Sequence, residues 1–268
     1  MNVKVAVIQM TGFFEKDKSI DKMEKKVREA AEMGADIVVL PEMWNCPYGT
    51  RFFREYGEDE KGPTYERMSK VAKDMGIYLF GGSVSEYEEE TDKVYNTCYI
   101  FNREGQQIGK HRKRHLFDVN IRGKRAFRES DVLSPGDSLT VVDTEFGKIG
   151  VAVCFDIRFA GDFEYMTKNM GAKMYIVPAA FNMTTGPKFW EKLMVGRAID
   201  NQCFIVACAP ALDENAPYDA YGHSVIVNPW GEIIDIKGTD EAILFEELDL
   251  DMVNDMRGQI PILNPMVD

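Results

Sequence analysis

Three side chains of complementary chemistry fall where strands are expected to end in this sequence: the thiol of Cys154, the carboxylate of Glu42 and the ammonium of Lys113. The run Gly147 to Val153 is apolar and β-branched, and it stops at Cys154 before charged Asp156 and Arg158. A helix is predicted over 162–170 with Gly171 as its stop, so the thiol lies in a strand-to-helix turn. Such a turn aims backbone N–H groups at the side chain, favouring a thiolate and an anionic intermediate. A small buried hydrophobe at a strand end is the plainer alternative for a lone cysteine. The partners of Cys154 separate the two. A thiol attacking an unactivated amide or nitrile needs a base, which Glu42 can be, and a donor for the oxyanion. Lys113 and the N–H of Phe155 fit that second role, and losing one such donor typically costs about 3 kcal/mol of transition-state stabilisation.

The elements that must position these groups are legible from periodicity. Val3 to Gln9 is a strand entering a two-sided core, and Ile20, Met23, Val27, Ala30 and Ala31 mark a helix with Ser19 as N-cap and Gly34 as stop. Ala35 to Leu40 is a continuous buried strand that ends at Pro41-Glu42, completing a right-handed βαβ unit. Ligand sites in α/β sheets lie at that carboxyl end. The aromatic stretch from Trp44 to Gly62 reads as a loop rimming a pocket, and Thr64 to Met75 as a helix closed by Gly76. Strands follow at 77–84, 94–101 and 107–110, the last two joined by a hairpin turn at 102–105. Lys173 to Ala180 and Phe204 to Ala209 are further buried strands flanking a helix at 189–200, with Cys203 and Cys208 assigned to packing. Strands at 222–227, 233–236 and 246–251 close a second mixed sheet region, and the tail to Asp268, with Pro261 and Pro265, is expected to be an extension rather than a helix. The fold class is α/β, and no linker or repeat divides residues 1–268, which are expected to form a single domain.

Composition removes several classes of function. Against 44 acidic residues stand 32 basic ones, and the net charge of −12 would repel phosphate backbones and anionic membranes. The basic run Lys110 to His115 is too short to reverse that. His111 and His115 have helical ligand spacing but no third ligand of a known metal pattern, so no metal is expected. Five cysteines without a CxxC pair, no signal-like start and no apolar run long enough for a membrane span point to a reduced, cytoplasmic protein.

Leu40-Pro41-Glu42, Lys113 to Phe117 and Val153 to Phe159 resemble, in order, the glutamate, lysine and cysteine motifs of the nitrilase (carbon-nitrogen hydrolase) superfamily. The resemblance covers nearly the whole chain. It implies a four-layer α-β-β-α sandwich of two mixed sheets, no cofactor and a homodimer or dimer-based oligomer. Phe127 to Ser130 followed by 133–137 is similar to the superfamily's second-glutamate segment, which implies that Glu129 positions Lys113 and the substrate. Segments 180–187, 197–202, 222–224 and 228–232 are most similar to omega-amidases, implying a small-molecule amide substrate such as 2-oxoglutaramate, cleaved to acid and ammonia through a thioacyl-enzyme. The same likeness makes Arg158 the anchor for the substrate carboxylate, a role its guanidinium fork suits, with a structural ion pair at a helix start as the other reading. Phe117, Phe181 and Thr184 match positions that wall the pocket. N-carbamoyl amine hydrolase, deaminated-glutathione amidase and nitrilase are the neighbouring activities. A non-catalytic scaffold or ligand-binding protein of the same fold is the alternative outside the class. One departure stands out: where the superfamily often has Arg-Phe-x-Glu, this chain has Gly161 followed by Asp162, which is expected to cap the helix.

Overall fold

The computed structural model describes residues 1–120, 122–123 and 126–263. The chain begins β1 (Asn2–Gln9), α1 (Lys16–Glu32), β2 (Ile37–Val39), α2 (Thr50–Phe53) and α3 (Pro63–Met75). An antiparallel group follows: β3 (Tyr78–Phe80), β4 (Val84–Glu88), β5 (Lys93–Phe101) and β6 (Gln107–Arg112), then the short pair β7 (Asp118–Val119) and β8 (Phe127–Arg128). The second half contains β9 (Thr140–Thr144), β10 (Gly147–Val151), α4 (Ala160–Lys168), β11 (Met174–Pro178), α5 (Gly186–Asn201) and β12 (Phe204–Cys208). It ends with β13 (Val225–Val227), β14 (Ile233–Ile236), β15 (Ala242–Asp249) and α6 (Asp251–Gln259).

Two mixed sheets result. The first runs β15-β1-β2-β3-β5-β4 with β6 also on β5, and β1, β2 and β3 are parallel. The second runs β14-β13-β12-β11-β10-β9, with β10, β11 and β12 parallel. Strand alternation explains how they stack. On the first sheet Val5, Val7, Ile37, Val39 and Phe80 face inward and join a core with Ile149, Val151 and Ile176 of the second. Their neighbours Ala6, Ile8, Val38, Leu40 and Leu79 face outward and pack under Ile20, Met23 and Val27 of α1 and Met68 and Val71 of α3. Phe163 and Met166 of α4, with Trp190 and Met194 of α5, cover the far side of the second sheet. The expected α-β-β-α order is therefore present. A one-residue slip in β1 or β2 would exchange both cores, and each large aliphatic side chain left exposed would forfeit about 1.5–3 kcal/mol.

Local departures from the sequence reading have identifiable causes. Ser19 lies inside α1 rather than at its cap, and its hydroxyl accepts the Phe13 N–H at 2.8 Å from the preceding loop. The loop 44–62 contains the single turn α2. The strand expected over 77–84 breaks at Gly81-Gly82, because Gly82 takes φ +63° and lets Ser83 donate to the Pro41 carbonyl at 3.0 Å. His111 sits on β6, so the helical spacing assumed for it and His115 does not exist. The tail is not wholly an extension: α6 buries Val253 and Met256, and Arg257 donates to the carbonyls of Ala172 and Asn201 at 3.0 and 3.2 Å. Pro261 follows that helix, whereas Pro265 lies outside the described residues.

Gly82 holds the peptide on which Glu42 follows. A Cβ there would stand 2.1 Å from the Pro41 carbonyl oxygen, whereas one at Gly161 in α4 would meet no atom within 4 Å. Gly82→Ala should destabilise the protein by about 1–3 kcal/mol, a fall in Tm of roughly 2–10 °C for a chain of this size. Gly161→Ala should leave Tm unchanged or raise it. Thermal melts followed by circular dichroism check both, and an unaltered Tm for Gly82→Ala would contradict the tight approach.

Candidate active site

Glu42, Lys113, Glu129 and Cys154 come together between the carboxyl ends of the two parallel strand sets. Lys113 extends from the end of β6, where its N–H donates to the Asn96 carbonyl at 2.8 Å and its own carbonyl accepts the Gly136 N–H at 2.9 Å. Its side chain has no exposure to solvent. The ammonium lies 2.9 Å from Glu42 Oε1 and 2.9 Å from Glu129 Oε2. Glu129 Oε1 is also within reach at 3.0 Å, so the three donors of the ammonium face three carboxylate oxygens.

Each carboxylate is fixed by further donors. Glu42 Oε1 also accepts Asn96 Nδ2 at 2.8 Å, and Oε2 accepts the Ala180 N–H at 2.6 Å. Glu129 accepts the Tyr48 hydroxyl at 2.9 Å on Oε1 and the Phe117 N–H at 2.7 Å on Oε2. Burial pushes the Glu129 carboxyl above its ordinary range, with Lys113 opposing and the Glu42 charge adding to the rise. Burial acts against the charge on Lys113, but Glu129 and Glu42 outweigh it and hold the ammonium well above its ordinary value. The cluster thus sets one permanent cation against two carboxylates in a dry site.

Cys154 opens a 3-10 turn, Cys154–Arg158, that joins β10 to α4. Its φ of +49° lies in the left-handed region, which costs a non-glycine residue about 1–3 kcal/mol unless its surroundings enforce it. They do so at both ends of the turn. Asp156 Oδ2 accepts the Val153 N–H at 2.9 Å and faces His111 Nε2 at 3.1 Å, while Oδ1 accepts the His115 N–H at 2.8 Å. Burial would raise the Asp156 carboxyl, but His111 and the two N–H donors bring it below the ordinary range. From α5, Arg197 Nε donates to the Ile157 carbonyl at 2.8 Å. Asp162 is in the first turn of α4 rather than at its cap, and its carboxylate binds Arg114 Nη1 at 2.7 Å and His115 Nε2 at 2.8 Å.

A tight pocket opens onto the thiol, lined by Phe117, Phe155, Arg158, Ala180, Phe181, Thr185 and Tyr218 beside Cys154. Thr185 takes the place expected of Thr184: Asn182 Oδ1 accepts the N–H groups of both, and that turn directs residue 185 inward. Arg158 is framed by the rings of Phe189, Phe155 and Phe181, 4.6, 5.7 and 5.8 Å from its guanidinium carbon. It forms no ion pair among the described residues, and its buried Nε has no hydrogen-bond partner there. The structural ion pair considered for it is not made with any described carboxylate. A larger cavity of about 220 Å³ lies behind the Tyr48 and Tyr218 rings, reaching Glu42 but not Cys154. Asn96, Tyr48, Tyr218, Asp156 and Arg197 were not marked as site residues by the sequence. Tyr48 lay in the aromatic loop after Glu42, Asp156 in the motif around Cys154 and Arg197 in the segment 197–202, but none was given a role.

Burial raises the Cys154 thiol well above its ordinary value, and the Glu42 charge adds to the rise, with Lys113 opposing. The resting side chain is therefore a thiol at neutral pH, and its thiolate fraction grows about tenfold per pH unit below its pKa. Alkylation of Cys154 by chloroacetamide, followed by peptide mass spectrometry, should still be accelerating above pH 9. A plateau reached near neutrality would show instead a stable thiolate.

A family model described as carbon-nitrogen hydrolase matches residues 4–258. The chain is 48% identical over 247 residues to omega-amidase NIT2 of Xenopus tropicalis, covering 92% of this chain and 88% of that protein. Against omega-amidase NIT2 of Homo sapiens it is 43% identical over 259 residues, covering 97% and 93%. The crystal structure of Saccharomyces cerevisiae Nit3, a member of branch 10 of the nitrilase superfamily, superposes with a TM-score of 0.91 at 38% identity, covering 99% of this chain and 96% of that one. The sandwich of two mixed sheets, the buried acid-base cluster beside a thiol and these similarities agree: the chain belongs to the carbon-nitrogen hydrolase family and is a hydrolase acting on carbon–nitrogen bonds.

Proposed function

We propose that this amidase cleaves the terminal amide of small dicarboxylate monoamides, such as 2-oxoglutaramate, through a thioacyl-enzyme on Cys154. The observation that carries this reading is Arg158, a guanidinium without an ion pair among the described residues in the same small pocket as the thiol. A charge held among three aromatic rings is complemented best by a carboxylate that arrives with the substrate. The omega-amidases among the relatives support the same class.

The steps follow from the donors and acceptors in place. Glu42 Oε2 accepts the Ala180 N–H and keeps a lone pair for the proton of the Cys154 thiol, which hydrogen-bonds to the Glu42 carboxylate. Sulfur attacks the amide carbon as Glu42 takes that proton. The oxyanion is met by the Lys113 ammonium, which turns toward it one N–H from its two-oxygen contact with Glu129, and by the N–H of Phe155, at the start of the turn where N–H groups have no partner within it. Glu42 returns the proton to nitrogen, the carbon–nitrogen bond breaks and ammonia leaves, giving the thioester. Glu42 then takes a proton from water, which attacks the thioester carbon, and the acid departs as sulfur regains the proton. Glu129 contributes by holding Lys113, and Phe117, Phe155 and Phe181 exclude water from the pocket.

The chain is further inferred to act as a homodimer in the cytoplasm and not to use nucleic acid as a partner. Phe159, Tyr165 and Phe189, exposed around α4 and α5, supply an apolar face for a second copy. Five unpaired cysteines suit a reducing compartment, and the net charge of −12 opposes polyanions.

Ammonia release from 2-oxoglutaramate, N-carbamoyl-β-alanine and a simple nitrile, with cysteinylglycine release from deaminated glutathione, tests the substrate class. Only the first should turn over rapidly, and Cys154→Ala should abolish it with the melt unchanged. Arg158→Lys should raise KM for 2-oxoglutaramate by about ten- to a hundredfold, the equivalent of one charged hydrogen bond of roughly 1.5–3 kcal/mol, and leave neutral amides unaffected. Equal losses on neutral amides would make Arg158 structural, and turnover confined to the carbamoyl compound or nitrile would move the substrate.

A further inference from the structure

The two catalytic arms are separate in sequence. Lys113 rides on the segment leaving β6, and Cys154 on the turn leaving β10. One buried carboxylate touches both. Asp156 Oδ2 accepts the N–H of Val153, directly before the nucleophile, at 2.9 Å, and Oδ1 accepts the N–H of His115, two residues beyond the lysine, at 2.8 Å. His111 braces it from β6: Nε2 lies 3.1 Å from Asp156 Oδ2, and Nδ1 lies 3.1 Å from Thr140 Oγ1. Asp156 is 3% exposed and touches neither the pocket wall nor Glu42, Lys113 or Glu129 through any hydrogen bond.

We propose that Asp156 is a positioning residue that sets the distance between the Cys154 sulfur and the Lys113 ammonium, by binding one backbone N–H from each arm and enforcing the left-handed backbone at Cys154. The chemistry of the group fits this use. Only a carboxylate accepts on both oxygens, so it can take two N–H donors and an imidazole together. An amide of the same shape must turn an NH2 toward one of those N–H groups, and that arm is released. Misplacement by about 1 Å at a reacting centre costs on the order of 10²-fold in rate. The proposal rests on the reading of Cys154 as nucleophile and Lys113 as oxyanion donor.

Steady-state kinetics of Asp156→Asn test it, on whichever amide of the panel above the wild-type enzyme hydrolyses, with rates normalised to folded protein. The account expects kcat to fall by about 10²-fold with KM within about twofold of wild type, since Arg158 and the aromatic walls still bind the substrate. His111→Leu, which removes the brace and keeps the volume, should lower kcat by less and also spare KM. A folded Asp156→Asn enzyme with wild-type kcat, or one whose loss lies entirely in KM, overturns the proposal. If Asp156→Asn does not fold, His111→Leu decides alone, and wild-type kcat there overturns it. Cys154→Ala in parallel separates the two readings: activity surviving in it removes the nucleophile assignment itself, whereas activity lost there and kept in Asp156→Asn removes only the positioning role.

Discussion

A lysine ammonium enclosed between two carboxylates, with no solvent around it, is the constraint to which the rest of the structure answers. Removing charges from water costs several kcal/mol for each, and only close geometry and satisfied lone pairs offset it. Lys113 meets that demand through Glu42 at 2.9 Å and Glu129 at 2.9 Å. Each carboxylate then needs donors of its own, which come from Asn96 of β5, Ala180 after β11, Tyr48 and the Phe117 backbone. Groups from both sheets are thereby tied to one point. The face-to-face stacking of the sheets is the frame in which such a cluster can be dry and still complete.

The proposed nucleophile is held by a different logic. Cys154 occupies a backbone conformation it would not choose, at φ +49°, which turns its side chain away from the β10 ladder and toward the cluster. Asp156 and Arg197 bind the turn at its two ends, so the strain is held by neighbours that do no chemistry themselves. The thiol stays protonated there because burial and Glu42 both disfavour the thiolate. In the proposed reaction, attack awaits a substrate whose carbonyl can share the charge with Lys113. Arg158, with no described carboxylate beside it, lines the same small pocket, and in the proposed reaction it would take the substrate carboxylate.

Much of this was legible in the sequence, for physical reasons that differ from part to part. Alternation in β1 and β2 is forced by two distinct cores, so strands such as Val3 to Gln9 and Ala35 to Leu40 stand out before any contact is known. Glu42, Lys113 and Cys154 stood out because each ends an apolar or strand-forming run with a group costly to bury without purpose. Contacts between distant segments left little trace. Asn96 lies within an ordinary-looking strand, and Asp156 reads as a charged stop to the strand before Cys154 until His115 and Val153 are seen to share it. The choice of Thr185 over Thr184 depends on the Asn182 turn, which one-residue periodicity cannot resolve. The break at Gly81-Gly82 and the helix α6 were missed for a related reason. The first is dictated by the Pro41 carbonyl and the second by the carbonyls of Ala172 and Asn201, none of which is a neighbour in sequence.

The most direct test of the account is a crystal structure of the Cys154→Ala protein soaked with 2-oxoglutaramate. The account predicts the substrate carboxylate paired with the Arg158 guanidinium, and the amide carbonyl oxygen within about 3 Å of both Lys113 Nζ and the Phe155 N–H. Glu42 should face the amide nitrogen. A substrate bound with its carboxylate away from Arg158, or with its amide oxygen out of reach of Lys113, would contradict the central claim that the buried lysine is the electrostatic centre of catalysis.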